Sequence, residues 1–291
     1  MAAFDTPNPI TASIELPLGT VHLIATKRTD TVVVVNPTDP SRKVDLETAE
    51  RVDVDLSKDT LFVKVPKTLR DYISLSTPGS VDVTIELPEG SRVEISAGLA
   101  DVRVDGSLGQ AHVRCGAGDV QLDETGPLDV TTGAGKVAVN RVAGNGEITT
   151  AGDMEIGIID GNAEIKNLNG KTWLGEVSGR LQVKSANGDI MVDRARSDVD
   201  VKTANGNIEL REVFTGSTTL ETAAGSLQIG IASDTAAWVD ARTRFGRIHN
   251  TLESAGSPET SGGTVEVRAR TSFGDISIHR SPKELNQRGE I

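Results

Sequence analysis

Cys115 is the only thiol in the chain, and a thiolate would be its strongest nucleophile. Its neighbours in the pattern give it a blander role. It stands three residues before Gly118, where later repeats place Thr132, Asn167, Ser185, Thr203, Thr222, Thr243 and Thr271. A small residue in a stacked Thr/Ser row is therefore expected there. The four histidines, His22, His112, His249 and His279, are not at ligand spacing from one another or from the cysteine, so no zinc site is expected. His112 and His249 fall at outward positions. Calcium-binding β-rolls need paired glycines with an Asp two residues on, whereas Asn187-Gly188-Asp189-Ile190 offers one Asp per turn. Lys136 and Lys171 share that row and would repel a cation. No metal and no cofactor is expected. A polysaccharide lyase or hydrolase needs carboxylates converging on one surface. Asp129, Glu155, Asp200 and Glu209 are outward candidates, but a chain with 3% aromatics has few platforms for a sugar ring. No catalytic residue is assigned.

The elements that would carry these residues repeat. Gly118-Asp119-Val120-Gln121-Leu122, Gly135-Lys136-Val137-Ala138-Val139, Gly188-Asp189-Ile190-Met191-Val192 and Gly206-Asn207-Ile208-Glu209-Leu210 are variants of one phrase. Its glycines recur at 118, 135, 152, 170, 188, 206, 225, 246 and 274, a step of 17 or 18 residues that lengthens near the end. A short fixed period marks a stacked architecture. Period-two alternation within each unit sends successive side chains to opposite faces. One inward row is then Val120, Val137, Met154, Thr172, Ile190, Ile208, Leu227, Ile248 and Ile276. A second holds Val113, Val130, Ile165, Val183, Val201, Leu220, Ala241 and Ala269. The expected fold is all-β, a parallel β-solenoid of about ten 17–18-residue coils, with a sandwich of hairpins as the rival.

Four segments are expected: a flexible leader over 1–9, an irregular β-rich cap over 10–95, the regular solenoid over 96–280 and a disordered tail over 281–291. Within the cap, Ser41 to Arg51 has weak helical character. At the far end, Ser254–Gly263 is a longer Gly- and Ser-rich excursion that could blunt the open strand edge. Phe245 and Phe273 hold equivalent positions and are expected to pack together. The residue after the glycine runs Asp119, Lys136, Asp153, Lys171, Asp189, which in a stacked ladder alternates opposite charges.

One outward row contains Gln121, Ala138, Glu155, Trp173, Met191, Glu209 and Gln228. Trp173 and Met191 would be neighbours one coil apart, an apolar patch suited to a partner unless the two side chains simply fold onto each other. The net charge of −12 excludes a nucleic-acid partner and argues against anionic lipid. No segment approaches the roughly 18 apolar residues of a membrane helix. Met1-Ala2-Ala3-Phe4-Asp5 lacks the pattern of a secretory leader, and one cysteine cannot make an intrachain disulfide. A cytoplasmic location is the expectation.

The Gly-Asp-Val/Ile units, with Leu87-Pro88-Glu89-Gly90-Ser91 ahead of them, resemble a bacterial "putative adhesin" family of β-strand repeats. This is a domain of unknown function in the toastrack group of β-solenoids. The resemblance runs from about Ile14 to Ile278. It implies stacked β-repeats and an association with envelope-stress systems and cell-surface proteins, and it brings no catalytic motif. The expectation is a non-enzymatic, acidic β-solenoid scaffold or protein-interaction module. It would bind a protein partner or a second copy of itself, with glycan binding disfavoured. A carbohydrate-active enzyme on a β-helix is the alternative.

Overall fold

The computed structural model describes residues 1–66, 79–252 and 263–281. Of these, 70% are strand and 3% helix, and the strands wind as a parallel β-solenoid. The chain divides into two compact units, Met1–Gly170 and Lys171–Ile291.

In the first unit the order is β1 (Ala2–Asp5), β2 (Thr11–Thr26), β3 (Asp30–Pro37), α1 (Lys43–Glu50), β4 (Asp53–Ser57), β5 (Thr60–Lys64) and β6 (Val81–Pro88). There follow β7 (Arg92–Leu108), β8 (Gln110–Ala117), β9 (Val120–Thr125), β10 (Leu128–Thr132), β11 (Val137–Val142), β12 (Gly146–Thr150), β13 (Met154–Ile159) and β14 (Ala163–Asn169). Parallel ladders run β7–β8–β10–β12–β14 and β7–β9–β11–β13. Register is held by the apolar face: Val113, Val130, Ile148 and Ile165 lie side by side, as do Val120, Val137 and Met154, all at most 2% exposed.

No boundary falls at residues 95 and 96. Strand β7 runs through that point and pairs along nearly its whole length with β2, from Thr11–Arg92 to Ala25–Gly106. The first full coil thus begins at Thr11, well inside the stretch expected to be an irregular cap. It was hidden because Ala100 stands in β7 where later coils carry the turn glycine, so the regular glycine step stops at Gly118 and does not reach the matching Gly19 of β2. What caps this end is β5 and β6, parallel to β2, with β3 and β4 antiparallel outside them. The expected leader is also partly ordered, since Ala2–Asp5 pairs antiparallel with β3 and Thr6 hydrogen-bonds Thr31 at 2.8 Å. Pro7 and Pro9 fall just after that strand, where no ladder donor is needed. Helix α1 lies within the segment of weak helical character; Asp45, fully buried, accepts the Ser80 N–H at 3.0 Å and fastens it to the start of β6.

The second unit holds β15 (Thr172–Val177), β16 (Leu181–Asn187), β17 (Ile190–Ala195), β18 (Val199–Asn205), β19 (Ile208–Val213), β20 (Gly216–Ala224) and β21 (Leu227–Ile231). It ends with β22 (Thr235–Phe245), β23 (Ile248–Asn250), β24 (Gly263–Phe273) and β25 (Ile276–Arg280). Here the spatial order departs from chain order. Strand β24 pairs with β20 on one side and β22 on the other, and β25 likewise sits between β21 and β23. The last coil in sequence is inserted beneath the one before it. Ile248 is therefore not an interior residue as its row implied: it is 45% exposed, while its neighbours Ile276 and Leu227 are 0% and 1%. Ala241 is half-buried for the same reason. Phe245 and Phe273 stack as expected, with centroids 5.0 Å apart and planes 9° apart. The Ser254–Gly263 excursion, up to residue 262, and the tail from 282 lie outside the described residues.

Candidate functional site

Alternation in β15 and β17 buries Thr172, Leu174, Ile190 and Val192, so Trp173 and Met191 between them face outward. The two stand directly beside each other in the ladder, followed in the same row by Glu209 and Gln228. Both are half-buried. Adjacent rungs of a sheet lie about 4.8 Å apart, close enough for a ring and a thioether to share one apolar surface.

Charged groups surround this pair. Arg211 bridges Asp193 and Glu209, 3.0 Å from each, and the Glu209 hydrogen bond is the main reason its guanidinium is held above its ordinary pKa. Nearby, Glu176 accepts from Arg196 Nε at 2.5 Å and lies 3.2 Å from Arg194 Nε, while Arg196 also sits over the Phe214 ring at 4.9 Å. The Arg196 hydrogen bond chiefly holds the Glu176 carboxyl below its ordinary value of 4.5. A lowered folded-state pKa adds stability above pH 4.5 that is lost as pH falls through the lowered value. Glu176→Gln is expected to cost about 1 kcal/mol at neutral pH and progressively less in acid. Urea midpoints at pH 7 and pH 3 measure this, and an undiminished difference at the lower pH would refute it.

The four outward acids lie where alternation put them, and each has a base. Asp129 meets His112 Nδ1 at 2.9 Å, Glu155 pairs with Lys136, Asp200 lies 3.8 Å from Lys202, and Glu209 binds Arg211 at 3.0 Å. The pattern had not pointed to Asp193 beside Glu209, although period-two spacing from Met191 and Glu209 places Asp193 opposite Arg211. His22 also gains a carboxylate, with Nε2 2.6 Å from Asp105. Arg103 and then His22 hold the Asp105 carboxyl below its ordinary range. Among the described residues, no group of three or more His, Cys, Asp or Glu side chains is placed to hold a metal ion.

The turn glycines are bordered by two hydrogen-bonded rows. Cys115 is 5% exposed, with Sγ 3.0 Å from the Ala117 carbonyl and 3.2 Å from that of Ala100. Thr132 donates in the same manner to Ala134 O at 3.0 Å and, in the second unit, Thr222 to Gly206 O at 3.1 Å and Thr271 to Gly225 O at 2.9 Å. Cys115 thus belongs to this row of small donors. Native protein is expected to resist a disulfide reagent until it unfolds, and Cys115→Thr to change stability by less than about 1 kcal/mol. Stoichiometric labelling of native protein within the mixing time would contradict this.

The second row consists of Asp and Asn side chains that accept backbone N–H groups from the next coil. Asp119 Oδ1 accepts from Lys136 N at 2.7 Å, Asp189 Oδ1 from Asn207 N at 2.9 Å, and Asn207 Oδ1 from Ser226 N at 2.9 Å. The alternating charges were expected to pair directly across the ladder. Instead Asp119 serves a backbone amide, and the Lys136 ammonium binds Glu155. That contact leads the causes raising the Lys136 pKa, with Asp153 and Asp119 adding attraction.

A family model described as Toastrack DUF4097 matches residues 13–279. None of the curated proteins compared matches the chain significantly. Among solved structures, the chain is similar to a "putative adhesin" from Bacteroides fragilis, at 11% identity over 95% of each chain and a TM-score of 0.33. It is also similar to a "putative cell adhesion protein" from Clostridium sporogenes, at 12% identity over 96% of this chain and 98% of that one, with a TM-score of 0.22. A "putative lipid binding protein" from Parabacteroides distasonis shares 9% identity over 97% of this chain and 96% of its own, with a TM-score of 0.33.

Proposed function

The chain belongs to the Toastrack DUF4097 family, and from that premise we propose that it is a non-enzymatic interaction module that engages a protein partner through the Trp173–Met191 wall. The observation that carries this reading is the placement of a tryptophan and a methionine on adjacent outward rungs, among ionic groups that bind one another. Trp is enriched where interfaces concentrate their binding energy, and Met adapts its shape to what it meets. The surrounding ion pairs form a polar rim that would exclude water around such a contact.

Affinity capture from cell lysate tests the proposal by comparing wild type with Trp173→Ala/Met191→Ala, once both show the same circular dichroism melt. A specific partner retained by wild type and lost by the variant is expected; equal recovery would remove the patch from the reading. A cytoplasmic location, and a link to envelope stress or surface homeostasis drawn from the family resemblance, belong to the same proposal. Cell fractionation tests the location.

One observation favours a second reading, a carbohydrate-active enzyme. Asp193 and Glu209 form a carboxylate pair around Arg211, with Glu209 directly beside Met191 in the ladder. Glycoside cleavage needs two such carboxyls free to flank the scissile bond, whereas both of these bind the Arg211 guanidinium, 3.0 Å from each. Turnover of any polysaccharide by wild type, abolished in Glu209→Gln, would establish the enzyme.

A further inference from the structure

We infer that the terminal coil of the second unit docks on the same coil of a second copy of this chain, with β22 running antiparallel to its twin. Among the described residues β22 pairs only with β24, and β23 only with β25. Their outer N–H and C=O groups form the kind of open edge that recruits another strand. The coil is also left apolar and open. Ile248 is 45% exposed in a row that is otherwise buried at Ile276 and Leu227, and Trp238 and Phe245 are 56% and 57% exposed.

Charge selects the occupant. The outward row of β22 reads Trp238, Asp240, Arg242, Arg244, and its inward row Ala237, Val239, Ala241, Thr243. Arg242, with a side chain 69% exposed, donates to Asp240 of its own strand at 3.0 Å and lies beside Arg270 in the ladder, so a like charge still neighbours it on its paired side. An acid on its open side would offset that. In an antiparallel pairing, a shift of one residue turns the core row to solvent, so only registers centred on a residue opposite itself keep both faces matched. Centring on Asp240 sets carboxylate against carboxylate, and centring on Arg242 sets guanidinium against guanidinium. Centring on Ala241 brings Asp240 against the twin's Arg242 and Trp238 against the twin's Arg244, each contact occurring twice. A strand self-complementary in this way is what a two-fold interface requires, and the arginine–tryptophan contacts add cation–π attraction. The core row then closes around a central Ala241–Ala241 contact between the copies.

Sedimentation equilibrium over a concentration series tests this, with the circular dichroism melt as a check on folding. Wild type is expected to reach twice the monomer mass. Asp240→Arg and Arg242→Asp alone are each expected to stay monomeric, because each sets like charges opposite. An equimolar mixture of the two should regain the doubled mass, since the first variant then offers arginines at both positions to two aspartates in the second. The double swap, Asp240→Arg/Arg242→Asp, should also dimerise by itself. Monomeric wild type would overturn the inference, including when its β22 amides are protected from hydrogen exchange, because something other than a second copy then covers the edge. Single variants that dimerise like wild type, or a mixture that stays monomeric, would overturn it too.

Discussion

Gly206→Ala is expected to lower the stability of the protein by about 3 kcal/mol or more, the combined effect of a strained backbone and an overpacked turn. Gly206 has φ of +147°, and a Cβ there would lie 2.1 Å from the Gly188 carbonyl oxygen and 2.6 Å from its carbon. Those atoms are backbone of the adjacent coil. They cannot retreat without opening the parallel ladder on both sides, since Gly206 O in turn lies against Gly225, where a Cβ would come within 2.0 Å. Gly146→Ala is the control. It lies in a strand rather than a turn, and its nearest neighbour would be the Ile148 Cδ1 atom at 3.6 Å, an ordinary contact, so a change within about 1 kcal/mol is expected. Denaturant midpoints with unchanged slopes measure both. Equal losses at the two positions would mean that close stacking of the turns is not what demands glycine.

The second large effect separates two isoleucines that the sequence places in one row. Ile276→Ala is expected to cost about 3 kcal/mol, the usual price of emptying a fully buried aliphatic site. Ile248→Ala should cost less than about 1 kcal/mol in the monomer, because Ile248 is already 45% exposed against 0% for Ile276. The comparison reports directly on coil order. If the coils stacked in chain order, β23 would be internal and β25 terminal, and the two losses would be reversed.

That swap of coils shows where reading the sequence stops. Val239 and Ala241 match Val267 and Ala269 position for position, so either strand presents the same inward face to β20. Charge does not separate them either. Glu221 of β20 meets Arg270, and would have met Arg242 equally well had β22 taken that place. By contrast, alternation fixed the buried faces of the regular coils, because a one-residue error would have turned Val113, Val130 and Ile165 to solvent. It also placed Trp173 beside Met191 and Cys115 in its donor row. The Asp and Asn bonds to backbone amides were out of reach of the pattern, since a carboxylate after a glycine looks the same whether it serves an amide or an ammonium. The early coil at β2 and β7 was missed for a plainer reason: β7 has Ala100 where later coils have glycine, which cuts Gly19 of β2 off from the repeat that found the others.

The central claim is that the wall bearing Trp173 is where this protein meets its partner. The most direct measurement is to install a photo-crosslinking residue at position 173 in cells, and separately at Lys184, which faces outward from β16. An interaction module of the proposed kind yields one discrete adduct from position 173 and none of that mass from position 184. No adduct from 173, or the same adducts from both positions, would contradict it.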